Sequence, residues 1–157
     1  PLSRLAAMLN LDGLNVITDT KDISALGAEW STLGEVFQTA AAAERYTITP
    51  SASPIMREAV AQDFFNRSDQ APFARAGVPA LLLYFGDQVA GSAGGPSSKQ
   101  LLDQYLGQRY HRPSDDLSQH FDYSAGARML GVFARTLVSV ANSSRAPQWK
   151  AGAPYRR

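Results

Sequence analysis

The spacing of apolar and polar positions divides the chain into alternating strand and helix segments. Short apolar runs predict strands, and they lie at residues 5–11, 23–26, 46–49 and 80–85. Apolar residues at steps of three and four predict helices, and these lie at residues 32–45, 68–76, 101–106 and 123–142. Two stretches with little periodicity are expected to be loops, the first with at most one helical turn: residues 50–62 and 86–98.

Strands that alternate with helices predict an α/β fold with a mostly parallel sheet. The run Val78 to Phe85 is apolar at nearly every position, so we expect a strand covered on both faces at the centre of a parallel sheet. The polar residues 143–157 are expected to form a tail over the surface of a single domain. In the last helix, the expected buried face consists of Leu130, Phe133, Leu137 and Val140 or Ala141.

Composition narrows the class of protein. The apolar fraction of 45% and the charged fraction of 18% are typical of a globular domain and argue against disorder. The net charge is only +1 and the basic residues are scattered, so no nucleic-acid surface is expected. No cysteine is present, which excludes disulfides, thiolate metal sites and a cysteine nucleophile. The longest apolar runs are too short to span a membrane.

Few residues can carry chemistry, because the chain has only two histidines. His111 lies in the turn Tyr110 to Asp116, and a histidine near neutral pH serves as a metal ligand or a proton carrier. The alternative role for His111 is that of an ordinary residue in a polar surface turn. The other histidine, His120, is expected on the surface.

Asp12 follows the first predicted strand and would be delivered to a loop at the strand's carboxyl end. A carboxylate oxygen and an imidazole nitrogen together suit zinc, although their separation in sequence does not show that Asp12 and His111 meet. Asp115 or Asp116 is placed to hold the second nitrogen of His111, and turn formation is the alternative role for both.

Three blocks of sequence carry a resemblance to a known family. They are MLNLDG at residues 8–13, FNRSDQAPFARAGVPA at residues 65–80 and YHRPSDD at residues 110–116. In this order they resemble the carboxyl-terminal half of the zinc aminopeptidase family with a co-catalytic metal pair. That family includes bacterial leucyl aminopeptidases, glutamate carboxypeptidase-like peptidases and, more distantly, glutaminyl cyclases. The blocks are similar to its strand ending in a metal-binding aspartate, its RSDH-x-x-FA-x-x-G-[IV]-PA block and its YH-x-PSD block.

The resemblance implies a three-layer α/β/α, phosphorylase/hydrolase-like zinc-peptidase fold with a mostly parallel mixed sheet. It implies that Asp12 and His111 bind different ions of a zinc pair, which activates water to remove amino-terminal residues from peptides. Tyr110 would contact the oxyanion or substrate, with packing beside the loop as its alternative role. Asp69 would be a residue behind the metal ligands or a helix cap, and Asp115 and Asp116 would also support the ligands.

The chain departs from the family pattern in two ways. Gln70 stands where many members have a histidine that is generally not a metal ligand. More seriously, the upstream histidine, the bridging aspartate and the glutamate pair should precede Asp12, and only eleven residues do. The chain is therefore expected to be a fragment, residues 1–157 forming one partial domain that is inactive alone.

Two other functions stay open: a non-catalytic binding or interaction domain, and a single-zinc enzyme similar to glutaminyl cyclases. A fragment of such a sheet is expected to associate with the missing amino-terminal half or with itself, because the loss of upstream strands exposes a sheet edge. Many relatives are exported, so a periplasmic or secreted parent protein is expected.

Overall fold

The computed structural model of the chain describes residues 2–12, 17–91 and 94–156. Gly13 of the first block and residues 92–93 of the predicted loop 86–98 lie outside the described residues. The strands are β1 Met8–Asn10, β2 Asp22–Leu26, β3 Thr47–Ile48 and β4 Ala80–Phe85. The helices are α1 Leu33–Ala43, α2 Pro54–Ala61, α3 Phe64–Arg67, α4 Gln70–Arg75, α5 Ser98–Gln108 and α6 Tyr123–Ala141.

The four described strands form one sheet in the order β1-β4-β2-β3. β4 pairs with β1 in parallel and with β2 antiparallel, and β2 pairs with β3 in parallel. The predicted central place of β4 is therefore confirmed, and so is the mostly parallel, mixed sheet. The expectation that β4 has parallel neighbours on both sides is wrong, because a strand buried on both faces has the same apolar pattern whichever way its neighbour runs.

The side chains of β4 alternate between two hydrophobic clusters, one on each face of the sheet. Leu81 and Leu83 pack with residues of α1 and α6, while Ala80, Leu82 and Tyr84 pack with residues of α2 to α5. Helices therefore cover both faces of the sheet, and the mixed α/β architecture expected for part of a three-layer zinc-peptidase fold is confirmed.

The prediction that residues 50–62 form a loop is wrong, because helix α2 occupies most of this segment. The Ser53 hydroxyl accepts a hydrogen bond from the Met56 amide at 3.2 Å, and Pro54 follows in the first turn. Proline fits there because the first helical amides have no partner within the helix. Pro54 therefore marks the start of a helix and does not indicate a helix-free loop.

The predicted buried face of α6 is wrong in part. Leu130 and Leu137 are 45% and 51% exposed, and the buried side chains include Met129, Val132 and Thr136 instead. α6 is apolar around most of its circumference, so the three-and-four spacing fits more than one face. The packing of α6 against α1 and the sheet selects the face that is buried.

Residues 143–156 form no helix, and part of this segment is tied to the domain. The Trp149 indole N–H donates to the Gly77 carbonyl at 2.8 Å, and Ser31 and Trp149 form an isolated β-bridge. Gly77 has a positive φ of 94°, which suits its position directly after the C-cap of α4. Among the helices that the structure describes, none has the length and hydropathy needed to cross a membrane.

Candidate functional site

A pocket of about 220 Å³ lies beside the carboxyl ends of the parallel strands β1 and β4. Asp12 follows β1 by two residues, and Tyr84 and Phe85 end β4, so both strands deliver side chains to the same place. This edge is where α/β sheets place their ligands. The apolar wall consists of Ile17, Phe64, Leu82, Tyr84, Phe85, Leu102, Tyr105, Leu106, Tyr110 and Phe121.

The wall is rich in aromatic rings that contact one another. The centroids of Tyr84 and Phe85 are 4.4 Å apart, and the Phe64 ring lies 5.8 Å from that of Tyr84. Burial raises the pKa of Tyr84 well above its usual value, so its hydroxyl stays neutral at physiological pH. A wall of this kind is suited to an apolar group of moderate size.

The polar part of the pocket centres on Asp115. Its carboxylate accepts hydrogen bonds from the Tyr105 hydroxyl and the Gln119 amide, both at 2.9 Å. Burial, together with the hydrogen bond to Asp115, raises the pKa of Tyr105 to about 12. Tyr105 therefore keeps its proton and orients the Asp115 carboxylate at the pocket wall.

Asp12 is exposed at the pocket wall, and the strand before it is held by Gln70. Gln70 is fully buried at the start of α4. Its side-chain oxygen accepts a hydrogen bond from the side-chain amide of Asn10 at 2.8 Å. Its side-chain nitrogen donates a hydrogen bond to the backbone carbonyl of Phe65. The residue that replaces the family's usual histidine thus links the second sequence block to the strand carrying Asp12.

His111 does not line the pocket, although its neighbour Tyr110 does. The imidazole is exposed and stacks on the Tyr110 ring with centroids 3.8 Å apart. His111 has a positive φ of 57°, a backbone conformation that is uncommon for residues other than glycine and that clusters at functional sites. The structure therefore brings Asp12 and Tyr110 to one pocket, while His111 stacks on Tyr110 without lining the pocket.

The remaining predicted residues occupy cap and turn positions. Asp69 precedes α4 at the N-cap position, but its exposed side chain makes no capping hydrogen bond. Asp116 accepts from the amide and hydroxyl of Ser118, which lowers its pKa, and these bonds stabilise the turn. The hydrogen bonds of Asp115 and Asp116 in the described part of the chain go to residues other than His111.

The sequence did not point to Asp22, which orders the chain just after β4. Its carboxylate is fully buried and accepts from the Thr49 hydroxyl at 2.7 Å and from the amides of Asp87 and Gln88 at 3.1 and 2.8 Å. A Cβ atom at Gly86 would lie 2.0 Å from the Asp22 carbonyl, so only glycine fits there. A charged residue directly before the predicted strand 23–26 was the available signal, because a carboxylate is buried only with partners.

Most residues of the pocket wall were not predicted from the sequence. Tyr105 was recognised only as part of a helical apolar stripe, and Phe64 and Phe121 were not singled out. The predicted loop 86–98 contributes no described residue to the wall. The dense run of tyrosine and phenylalanine around the three blocks was a usable signal, since binding sites favour aromatic walls.

The described residues do not by themselves fit a zinc ion. Within residues 2–12, 17–91 and 94–156, no three His, Cys, Asp or Glu side chains are grouped so that they could hold a metal. Protein zinc sites use three or four such ligands. The expected ligands Asp12 and His111 are therefore not a complete site within the described structure.

A mixed α/β sheet with an apolar pocket at its strand ends is a common arrangement of substrate-binding enzymes. The model of peptidase family M28 matches residues 1–137, so the chain belongs to this family. Members of the family are metal-dependent peptidases that require zinc and act on peptides. Searches among curated proteins and among solved structures found no match to the chain.

Proposed function

We propose that this chain forms the substrate-binding part of a zinc exopeptidase that removes apolar residues from the amino termini of peptides. One observation carries the proposal: the apolar pocket has two carboxylates, Asp12 and Asp115, as the only charged groups among its described lining residues.

The sign of these charges favours the amino terminus of a peptide over its carboxyl terminus. A free amino terminus is an ammonium group, which a carboxylate such as Asp115 attracts and hydrogen-bonds. A carboxypeptidase pocket needs arginine or lysine for the terminal carboxylate, and no described lining residue is basic.

The aromatic wall favours an apolar first side chain. Full burial of a leucine or phenylalanine side chain contributes about 1.5–3 kcal/mol. The same wall disfavours acidic side chains, because they would lose water and face Asp115. A preference for leucine, methionine or phenylalanine over aspartate or glutamate follows.

Membership of the family supports roles for the predicted ligands. We propose that Asp12 and His111 each contribute one ligand to a different ion of a zinc pair. Tyr110 would then contact the substrate, since it lines the pocket and stacks on His111. The described wall offers no glutamate as a general base, so we expect no peptide hydrolysis by this chain alone.

A binding domain without catalysis is the second candidate. The observation in its favour is that the described residues lack a group of metal ligands. Such a domain would use the same pocket to hold an apolar amino terminus without cleaving the peptide.

The experiment is peptide digestion by the full-length product of the gene that encodes this chain, loaded with zinc and followed by mass spectrometry. We expect stepwise loss of apolar amino-terminal residues and no cleavage of amino-acetylated peptides. Loss of carboxyl-terminal residues would overturn the exopeptidase proposal, and binding of unblocked peptides without cleavage would favour the second candidate.

A further inference from the structure

Helix α6 has a second apolar face that is largely exposed in the described structure. Its inner face packs on the sheet through residues such as Met129 and Val132. The outer face exposes Tyr123, Leu130 and Leu137 by 70%, 45% and 51%. We call this face the outer stripe, and it consists of Tyr123, Ala127, Leu130, Ala134, Leu137 and Ala141.

The outer stripe has the spacing of a helix-pairing face. Its members recur at alternating steps of four and three residues, which is the heptad spacing of paired helices. At 3.6 residues per turn they fall within an arc of about 80°, and no member is charged. A helix that is apolar on both sides is typical of one that is buried on both sides.

Large and small residues alternate along the stripe. When two copies of α6 run antiparallel about a two-fold axis near residue 132, each large side chain faces an alanine. The facing pairs are Leu130 with Ala134, Leu137 with Ala127, and Tyr123 with Ala141. Alternation of large and small residues across facing positions is what lets two surfaces interdigitate.

We propose that the outer stripe is the interface of a symmetric dimer of this chain, with the two α6 helices antiparallel. A second copy is the occupant that matches the pattern, because a two-fold contact requires a surface complementary to itself. The absence of charge from the stripe means that no ionised group is desolvated on pairing, and a charged partner would find no counter-charge.

The dimer should be reversible and should leave the pocket accessible. One pair of helices buries less than the roughly 800 Å² per partner of a standard stable interface, so dissociation in the micromolar range is expected. No described residue of α6 lines the pocket beside Asp12. The inference therefore stands independently of the proposed peptidase function.

The first test is sedimentation velocity of the whole chain over a wide range of concentration. We expect the wild type to move from monomer to dimer as concentration rises. Leu130→Glu should remain monomeric with unchanged circular dichroism, because it places a charge at the interface. The matched control Ser139→Glu, on the same helix but outside the stripe, should dimerise like the wild type.

The second test examines the register of the two helices. Ala134→Leu should weaken the dimer about tenfold, because two leucines would then meet, and Leu130→Ala should weaken it similarly by leaving a gap. The double variant Leu130→Ala/Ala134→Leu exchanges the pair and should restore the wild-type affinity. A monomeric wild type at every concentration, larger assemblies, or a stronger dimer for Ala134→Leu alone would each overturn the proposal.

Discussion

The Tyr105 hydroxyl donates a hydrogen bond to Asp115, and this bond affects the pKa of Tyr105. The fold favours the protonated form of Tyr105, because partial burial and the nearby carboxylate both oppose its ionisation. Because the pKa of Tyr105 is higher in the folded chain than in the unfolded chain, the protonated hydroxyl stabilises the fold. This stabilisation is fully present below pH 10.0, the usual pKa of tyrosine. The contribution is lost as the pH rises through about 12.

We therefore predict that Tyr105 ionises near pH 12 in the folded chain. The absorbance of ionised tyrosine, measured as the wild type minus Tyr105→Phe, should show a midpoint near that pH. Binding of a free amino terminus should already decline above about pH 8, where the ligand's ammonium group loses its proton, well before Tyr105 ionises. A midpoint near the usual value of 10.0 would contradict the described hydrogen bond.

Asp22 is the second residue whose contacts predict a measurable effect. Asp22→Asn puts an amide group where the carboxylate accepts from Thr49, Asp87 and Gln88. At least one buried donor then loses its acceptor, so the free energy of unfolding should fall by about 3 kcal/mol.

Urea denaturation measures this change, with Asp69→Asn as the matched control. Asp69 is exposed and makes no capping bond, so its substitution should change the free energy of unfolding by less than about 0.5 kcal/mol. Equal effects of the two substitutions would show that burial and hydrogen bonding of Asp22 are not what stabilises the loop after β4.

At the scale of elements, Gln70 joins α4 to β1. Gln70→Ala should leave the Asn10 amide and the Phe65 carbonyl without their partner and should lower the free energy of unfolding by about 2–4 kcal/mol. Gln62→Ala is the control, because the Gln62 side chain bonds to Glu58 at the surface. Similar thermal denaturation midpoints for both variants would argue against a structural link between the two sequence blocks.

Elements were predicted correctly from the sequence where the apolar pattern fits only one type of element and one buried face. β4 is apolar on both faces and lies in the centre of the sheet, as expected. α6 was located within one residue of its bounds, but its buried face was misjudged because the helix is apolar nearly all round. α2 was missed because residues 50–62 show little periodicity, although Pro54 fits the first turn of a helix.

The candidate site was predictable only where motifs mark it. Asp12 and Tyr110 were identified from the sequence blocks, and both line the pocket. The partners Tyr105 and Gln119 were not identified, because their relation to Asp115 depends on how α5 meets the loop that follows it. Local sequence does not encode such packing, whereas a metal-binding motif is short and contiguous.

At the scale of the whole molecule, the scarcity of metal ligands leads to a prediction about zinc. The described residues offer no group of three ligands, so calorimetric titration of this chain should show no tight, stoichiometric zinc binding. His111→Ala should leave the titration unchanged. Tight one-to-one binding that disappears in His111→Ala would instead show that the chain holds a zinc site by itself.

The pocket beside Asp12 is proposed to bind an apolar residue that has a free amino group. The most direct measurement is an NMR titration of the chain with L-leucinamide and with N-acetyl-L-leucine. We predict that leucinamide shifts the signals of Tyr105, Tyr110 and Phe121, and that Asp115→Asn weakens its binding about tenfold while the control Asp116→Asn does not. Equal or tighter binding of N-acetyl-leucine, or no change at these residues, would contradict the account.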